Sequence, residues 1–163
     1  MKKLKLTLLL LLITTITFAQ KSPRKQSAKK IGETMVEIDF GAPSVKDRAI
    51  WGELVPFNKV WRAGANENTT ISFDKDVKMK GKTVPAGKYG VFIIPTSGEQ
   101  WTFILSKKND AWGSNGYDKA NDLVRFKVKP KMVDDNQEEM TFKILKKGIQ
   151  FSWEKARFFI PVQ

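Results

Sequence analysis

The stretch PAGKYGVFIIPTSGEQWTFIL, residues 85–105, holds two apolar runs and the turns that bound them. Pro85 presets the backbone for a turn, and Gly87 can adopt the positive φ that follows. The apolar run over residues 88–94 stops at a proline, a residue that is kept out of the middle of a sheet. Residues 101–105 alternate between the two faces of a half-buried strand. This stretch therefore predicts two β-strands joined by a turn.

The same period of two recurs on both sides of this stretch. It is found along residues 34–40, 69–73, 123–129, 140–144 and 149–153. Short turn sequences, Lys80-Gly81-Lys82 and Lys146-Lys147-Gly148, separate neighbouring strands and indicate hairpins. No part of residues 31–163 shows a helical period. About eight short strands predict an all-β domain over residues 31–163, a single antiparallel β-sandwich or jelly-roll-like barrel.

The N-terminus has the pattern of a targeting segment. A basic start is followed by an apolar run, and Thr17-Phe18-Ala19 places small residues before a cut at Gln20. The run is shorter than the roughly 20 apolar residues that a membrane-spanning helix needs. We therefore predict a signal peptide at residues 1–19, whose cleavage leaves no transmembrane segment and an exported protein, periplasmic or secreted. Because no cysteine follows the run, the protein is not expected to be a lipoprotein.

Charge is distributed unevenly along the chain, whose formal net charge is +12. Residues 20–30, QKSPRKQSAKK, carry five basic side chains, no acidic one and no aliphatic side chain larger than alanine. Such a segment cannot offset the entropy lost on ordering, so it is predicted to be a flexible basic tether, either a plain linker or a contact to an anionic surface. Residues 31–163 hold 21 basic and 17 acidic side chains. This small excess argues against nucleic acid as a partner.

The chain contains neither cysteine nor histidine. Disulfides, thiol nucleophiles and thiolate metal sites are therefore excluded, as is Ser-His-Asp chemistry. The acidic cluster between Asp134 and Glu139 lacks the spacing and the glycine of a calcium-binding loop, and it predicts a solvated acidic loop instead. No metal site and no cofactor is predicted.

Residues 61–70, WRAGANENTT, resemble the W-R-T-G-A-N-x-x-T-T signature of the domain-of-unknown-function family 2911 (DUF2911). Further motifs follow the order of that family: 43–48 (PSVKDR), 52–56 (GELVP), 85–89 (PAGKY), 94–95 (IP), 112–113 (WG), 122–125 (DLVR) and 153–157 (WEKAR). Ala63 stands where threonine is usual. The resemblance covers nearly all of residues 31–163 and implies an exported protein of a kind common in Bacteroidetes. It implies no activity, because none is established for the family.

Two segments interrupt the strand pattern, residues 53–68 and 107–122, and binding residues are often carried on such loops. In the first, Arg62, Asn66 and Glu67 bring a cation, an amide and a carboxylate close together, an arrangement suited to a carboxylate- or sugar-like ligand. The competing interpretation is a structural corner. There the tryptophan before Arg62 fills the core, Gly64 supplies an unusual backbone angle, Arg62 pairs with Glu67 or Asp122, and Asn66 caps the turn.

The second segment carries two aromatic residues, Trp112 and Tyr117, among glycines and polar residues. Flat aromatic rings stack on the apolar faces of sugars, so the pair predicts a carbohydrate platform. The alternative is that both rings anchor a loop folded over the open end of the sandwich, as amphipathic aromatic residues commonly do.

Two functions remain open on these residues. The first is a non-catalytic envelope or secreted binding module, for which Arg62, Asn66, Glu67, Trp112 and Tyr117 are the candidate ligand-binding residues and a glycan is the candidate ligand. The second is a small glycan-processing hydrolase, in which Glu67 and either Asp118 or Asp122 form the carboxylate pair. No motif in the sequence marks a catalytic residue, and the first function is preferred.

Overall fold

A computed structural model of the protein describes residues 21–163, so the predicted signal peptide and Gln20 lie outside the described residues. The described chain is a succession of strands with one short 3₁₀-helix, Lys119–Asn121. The strands are β1 (Arg24–Ile31), β2 (Thr34–Gly41), β3 (Thr70–Phe73), β4 (Val77–Met79), β5 (Lys82–Val84), β6 (Gly87–Ile94), β7 (Trp101–Ser106), β8 (Asp122–Val128), β9 (Lys131–Leu145) and β10 (Gly148–Pro161). No helix in residues 21–163 is long and apolar enough to cross a membrane.

Six strands form one antiparallel sheet in the order β1-β2-β3-β6-β7-β8. The long β9–β10 hairpin is the second layer, and β4 and β5 form a separate small hairpin. The prediction of an all-β antiparallel sandwich is therefore confirmed, with ten strands in residues 21–163, and the sheets do not close into a barrel. Both turns predicted at residues 80–82 and 146–148 connect the strands of a hairpin.

The core lies between the large sheet and the β9–β10 hairpin. On β2, Val36, Ile38 and Phe40 are buried on one face while the residues between them are at least partly exposed, as the period of two requires. Phe40 packs edge-on against Phe142 of β9, with 5.5 Å between ring centroids. Aromatic residues from both layers meet in this way along the domain. Because no disulfide is available, this apolar contact holds the two layers together.

The prediction of a flexible tether is wrong for residues 24–30. These residues form most of β1, which pairs residue by residue with β2 from Arg24 opposite Gly41 to Ile31 opposite Thr34. An edge strand gains its hydrogen bonds from a single neighbour and can leave most of its side chains in water, so a polar, basic composition is compatible with it. Arg24 also forms an ion pair with Asp39, 2.6 Å apart. The folded domain therefore begins before residue 31.

The predicted acidic loop is also wrong. Asp134 and Glu139 lie within β9. The outer half of this strand, residues 131–139, is mostly exposed to water. Exposure on both faces removes the apolar alternation from the sequence, so the local pattern of this half of the strand is that of a loop. Glu139 pairs with Lys25 of β1, and this contact connects the hairpin layer to the edge of the large sheet. Residues 21–163 contain no cluster of acidic side chains suited to hold a metal ion.

Candidate functional site

The two loops that interrupt the strand pattern pair with each other. Glu67 and Trp112 form an isolated antiparallel bridge. On either side of it, the Asn68 amide donates to the carbonyl of Ala111 at 2.9 Å, and the Gly113 amide donates to the carbonyl of Asn66 at 3.1 Å. These backbone bonds bring four of the five predicted site residues into one region of the surface. Residues 45 positions apart in the chain are thus held side by side.

The loop before Glu67 is shaped by a tight turn against the end of β2. Ala63 and Asn66 both have positive φ, 51° and 63°. Trp61 is buried as the structural interpretation predicted, and its Nε1 donates to the carbonyl of Gly64 at 3.1 Å. Gly64 itself does not have a positive φ, so the prediction of an unusual angle there is wrong. A Cβ on Gly64 would lie 2.6 Å from the hydroxyl of Thr69, so this position requires glycine for close packing.

Arg62 leaves this turn and lines a cavity of about 400 Å³. It forms no ion pair with any acidic side chain in residues 21–163. The predicted pairing with Glu67 or Asp122 is wrong, because Glu67 binds Lys21 and Asp122 binds Arg125. The Nε of Arg62 is buried with no hydrogen-bond partner within the described residues. Burial lowers the pKa of the guanidinium below its ordinary value, yet a guanidinium stays charged in proteins. A half-buried cation therefore lines the cavity with no counter-ion from the described part of the chain.

The walls of the Arg62 cavity come from both loops. Lys59 adds a second cation on the first loop. Trp112, Ser114 and Asn115 contribute an aromatic ring and polar groups from the second loop. Trp112 is 63% exposed, the most exposed large apolar side chain in residues 21–163. Positive charge, polar groups and an accessible ring are the features with which proteins bind acidic sugars and related anions.

Glu67 and Asn66 do not line this cavity. The Glu67 carboxylate is exposed and lies 3.0 Å from Lys21. A backbone hydrogen bond and then the bond from Lys21 lower the pKa of Glu67, opposite to the raised pKa that a general acid requires. The Nδ2 of Asn66 donates to the carbonyl of Ser22 at 3.3 Å. Lys21 in turn lies over the ring of Trp112, 5.1 Å from the ring centroid. Glu67 and Asn66 thus contact the residues that immediately precede β1.

Tyr117 is not part of the Arg62 cavity. Its ring packs edge-on against Phe92 on the outer face of the large sheet, with 5.0 Å between centroids. Its hydroxyl lies 2.9 and 2.8 Å from the two oxygens of Asp122. Arg125 pairs with the same carboxylate at 3.2 Å. These contacts anchor the second loop on the outer face of the large sheet, whereas the structural interpretation placed the anchored loop over the open end of the sandwich.

The Tyr117→Phe variant is expected to be less stable than the wild type by about 1–3 kcal/mol, the usual worth of a hydrogen bond to a charged group. Burial, the bond to Asp122 and the charge of Asp122 raise the pKa of Tyr117 from 10 to about 12. The folded state thus holds this proton more tightly than the unfolded state. The stabilisation is complete below the unfolded pKa of about 10 and is lost as pH rises through the folded pKa.

Urea unfolding of wild type and Tyr117→Phe as a function of pH measures this effect. The lysines and the other tyrosine titrate in both proteins, so their contributions cancel in the difference between the two free energies of unfolding. The stability difference between wild type and Tyr117→Phe should shrink between about pH 10 and pH 12. A difference that stayed constant over that interval would contradict the proposed role of the Tyr117 proton.

Lys59, Ser114 and Asn115 were missed by sequence reasoning. Nothing in their local pattern distinguishes them from ordinary loop residues. Lys59 lies on the same loop as Arg62, and Ser114 and Asn115 become neighbours of Arg62 only through the bridge between the two loops. Arg62 and Trp112 were predicted and do share one cavity, whereas Asn66, Glu67 and Tyr117 lie outside it.

Comparison with known families supports the resemblance drawn from WRAGANENTT. The family model described as "Protein of unknown function (DUF2911)" matches residues 22–162. The match begins before residue 31 and therefore includes β1, in agreement with the pairing of that strand. No curated protein and no solved structure matches the chain.

Proposed function

Because this chain belongs to the DUF2911 family, whose function is unknown, we infer its function from its own surface. We propose that it is an exported, non-catalytic module that binds an acidic sugar in the Arg62 cavity. Export rests on the predicted signal peptide, residues 1–19. The ligand class rests on the cavity.

The observation that carries this proposal is that Arg62 has no counter-ion among residues 21–163. A half-buried guanidinium without a carboxylate loses hydration and gains no Coulomb energy in return. An anionic ligand would supply the second charge, and a carboxylate suits the planar fork of arginine. Lys59 on the same wall would add to the attraction. The cavity therefore favours an anion over a neutral molecule.

Trp112 indicates that the anion is carried on a ring. Its exposed indole forms part of the cavity wall, next to Ser114 and Asn115. An aromatic face supplies contact area to the C–H face of a sugar, while hydroxyl and amide groups bond its hydroxyls. A volume of about 400 Å³ is enough for one or two sugar rings. A uronic acid or a similar acidic monosaccharide unit combines both features.

The binding of wild type and of Arg62→Ala to a glycan array tests the proposal. Wild type should bind acidic glycans and not their neutral counterparts, and binding should weaken as salt is added, since the cavity is open to solvent. Arg62→Ala should weaken binding roughly 10- to 100-fold, the worth of one hydrogen-bonded charge.

Lys75→Ala is the matched control, because Lys75 is an exposed lysine away from the cavity whose loss changes the net charge equally. Equal weakening by both variants would show a general charge effect and would overturn the assignment of the site. Turnover of a bound glycan that Glu67→Gln abolished, with folding intact, would overturn the non-catalytic function instead.

A further inference from the structure

A second and larger cavity lies on the other side of the loop that follows β2. Its volume is about 760 Å³, and it opens between the β6–β7 turn and the connection from β8 to β9. Its apolar lining comes from Trp51, Phe57, Trp101, Pro130 and Met132. It shares no lining residue with the Arg62 cavity, and none of its apolar residues was predicted as a site.

The floor of this cavity is a pair of tryptophans. Trp51 and Trp101 pack against each other with 4.4 Å between ring centroids. The Nε1 of Trp101 donates to the carbonyl of Thr96 at 3.0 Å, which fixes the ring under the β6–β7 turn. The Nε1 of Trp51 is buried and has no partner within the described residues. Trp101 is only 2% exposed and supports the ring of Trp51, so the partly exposed Trp51 is the tryptophan that offers contact area to a ligand.

Met132 forms the upper wall and is 54% exposed, a high value for a large apolar side chain on a strand. Methionine is a flexible, polarizable side chain that adapts to the shape of an apolar ligand. A ligand in the cavity would cover this side chain and remove its apolar surface from water.

The rim of the cavity is basic. Lys129 pairs with Glu99, 2.7 Å apart, so these two charges neutralise each other. Lys131 forms no ion pair with an acidic side chain anywhere in residues 21–163. The entrance thus carries one cation in excess, beside an apolar interior.

We propose that this cavity binds an amphiphilic acid, whose apolar chain lies against Trp51 and Met132 and whose carboxylate meets Lys131 at the rim. The volume falls in the range of small-molecule sites, in which apolar walls provide affinity and a few polar groups fix orientation. The proposal does not depend on the function proposed for the Arg62 cavity, because the two cavities are lined by different residues.

Calorimetric titration of the purified chain, as its host processes it, with laurate below its micelle concentration tests this site. We expect saturable binding of one laurate per chain. Met132→Glu should weaken binding roughly tenfold or more, because it removes apolar contact and adds a repelling charge. Met35→Glu is the matched control, since Met35 is also an exposed methionine on a strand and lies far from the cavity lining. It should bind laurate as wild type does.

The contribution of the acid group is tested with Lys131→Gln and with dodecanol, which has the same chain without the charge. Lys131→Gln should weaken laurate several-fold and leave dodecanol unchanged. Absence of saturable binding to wild type, or equal loss in Met132→Glu and Met35→Glu, would overturn the site. Equal effects of Lys131→Gln on both probes would overturn the role of the carboxylate. Loss of laurate binding in Arg62→Ala would place the ligand in the other cavity and overturn the proposal, while leaving the acidic-sugar hypothesis to its own test.

Discussion

Gly41→Ala is expected to lower the free energy of unfolding by about 3 kcal/mol or more, the upper range for an overpacked core. A Cβ on Gly41 would lie 2.0 Å from the carbonyl oxygen of Ala65 and 2.9 Å from its carbonyl carbon. Backbone atoms cannot rotate out of the way as the end of a side chain can. The turn around Ala65 would have to move away from β2 and lose the hydrogen bond from its amide to the Gly41 carbonyl, 3.1 Å long.

This change bears on the Arg62 cavity, because the displaced turn carries Arg62. We expect Gly41→Ala to weaken acidic-glycan binding as well as stability. Gly116→Ala is the matched control: Gly116 lies in the second loop, and a Cβ there would have nothing within 4 Å. Urea unfolding should separate the two variants clearly. Similar stabilities for both would show that the turn adapts freely, and would contradict the packing argument for glycine at position 41.

Trp153→Ala is expected to cost about 3–5 kcal/mol, the usual range for truncating a large buried aromatic side chain. Trp153 lies on β10 and is 1% exposed. It stacks on Trp61 with ring centroids 5.5 Å apart and planes at 20°, and it meets the edge of Trp51 at 5.6 Å. Its removal would leave a void beneath Trp61, which precedes Arg62, and beneath Trp51, the floor of the larger cavity.

Trp153→Phe is the control for this prediction. The Nε1 of Trp153 is buried without a hydrogen-bond partner in residues 21–163. The substitution by phenylalanine therefore reduces the side-chain volume but removes no hydrogen bond. We expect a cost of about 1–2 kcal/mol, close to that of a modest core truncation. The midpoint of urea unfolding for the two variants measures the difference. An equal cost for alanine and phenylalanine would contradict the argument that packing of the ring accounts for the effect.

Much of the fold follows from local sequence. The alternation along residues 34–40 becomes β2, and the turn at residues 146–148 joins β9 to β10. Prediction from local sequence succeeds for these strands because each buries only one face, so that apolar and polar residues alternate along it. The same criterion fails for β1 and for the outer half of β9, since a strand exposed on both faces carries no such period.

The candidate site was only partly predictable. Arg62 and Trp112 were recognised by their chemistry, and they share a cavity. Glu67 forms an ion pair with Lys21, and the hydroxyl of Tyr117 donates to Asp122. Both contacts depend on which side chains the fold brings together. The cavity over Trp51 had no counterpart in the sequence, because a buried tryptophan and a tryptophan on a cavity floor have the same local pattern.

By itself, the sequence determined the all-β class, the hairpins and the family, and it excluded chemistry that needs histidine or cysteine. These conclusions depend only on residue type and short-range periodicity. Only the tertiary structure decided that β1 completes the sheet, that Arg62 has no counter-ion within the described chain, and that two loops 45 residues apart form one cavity. These features depend on contacts between distant segments, and such contacts leave no periodic trace along the chain. Pairing across the fold therefore decides which of the predicted residues share the Arg62 cavity.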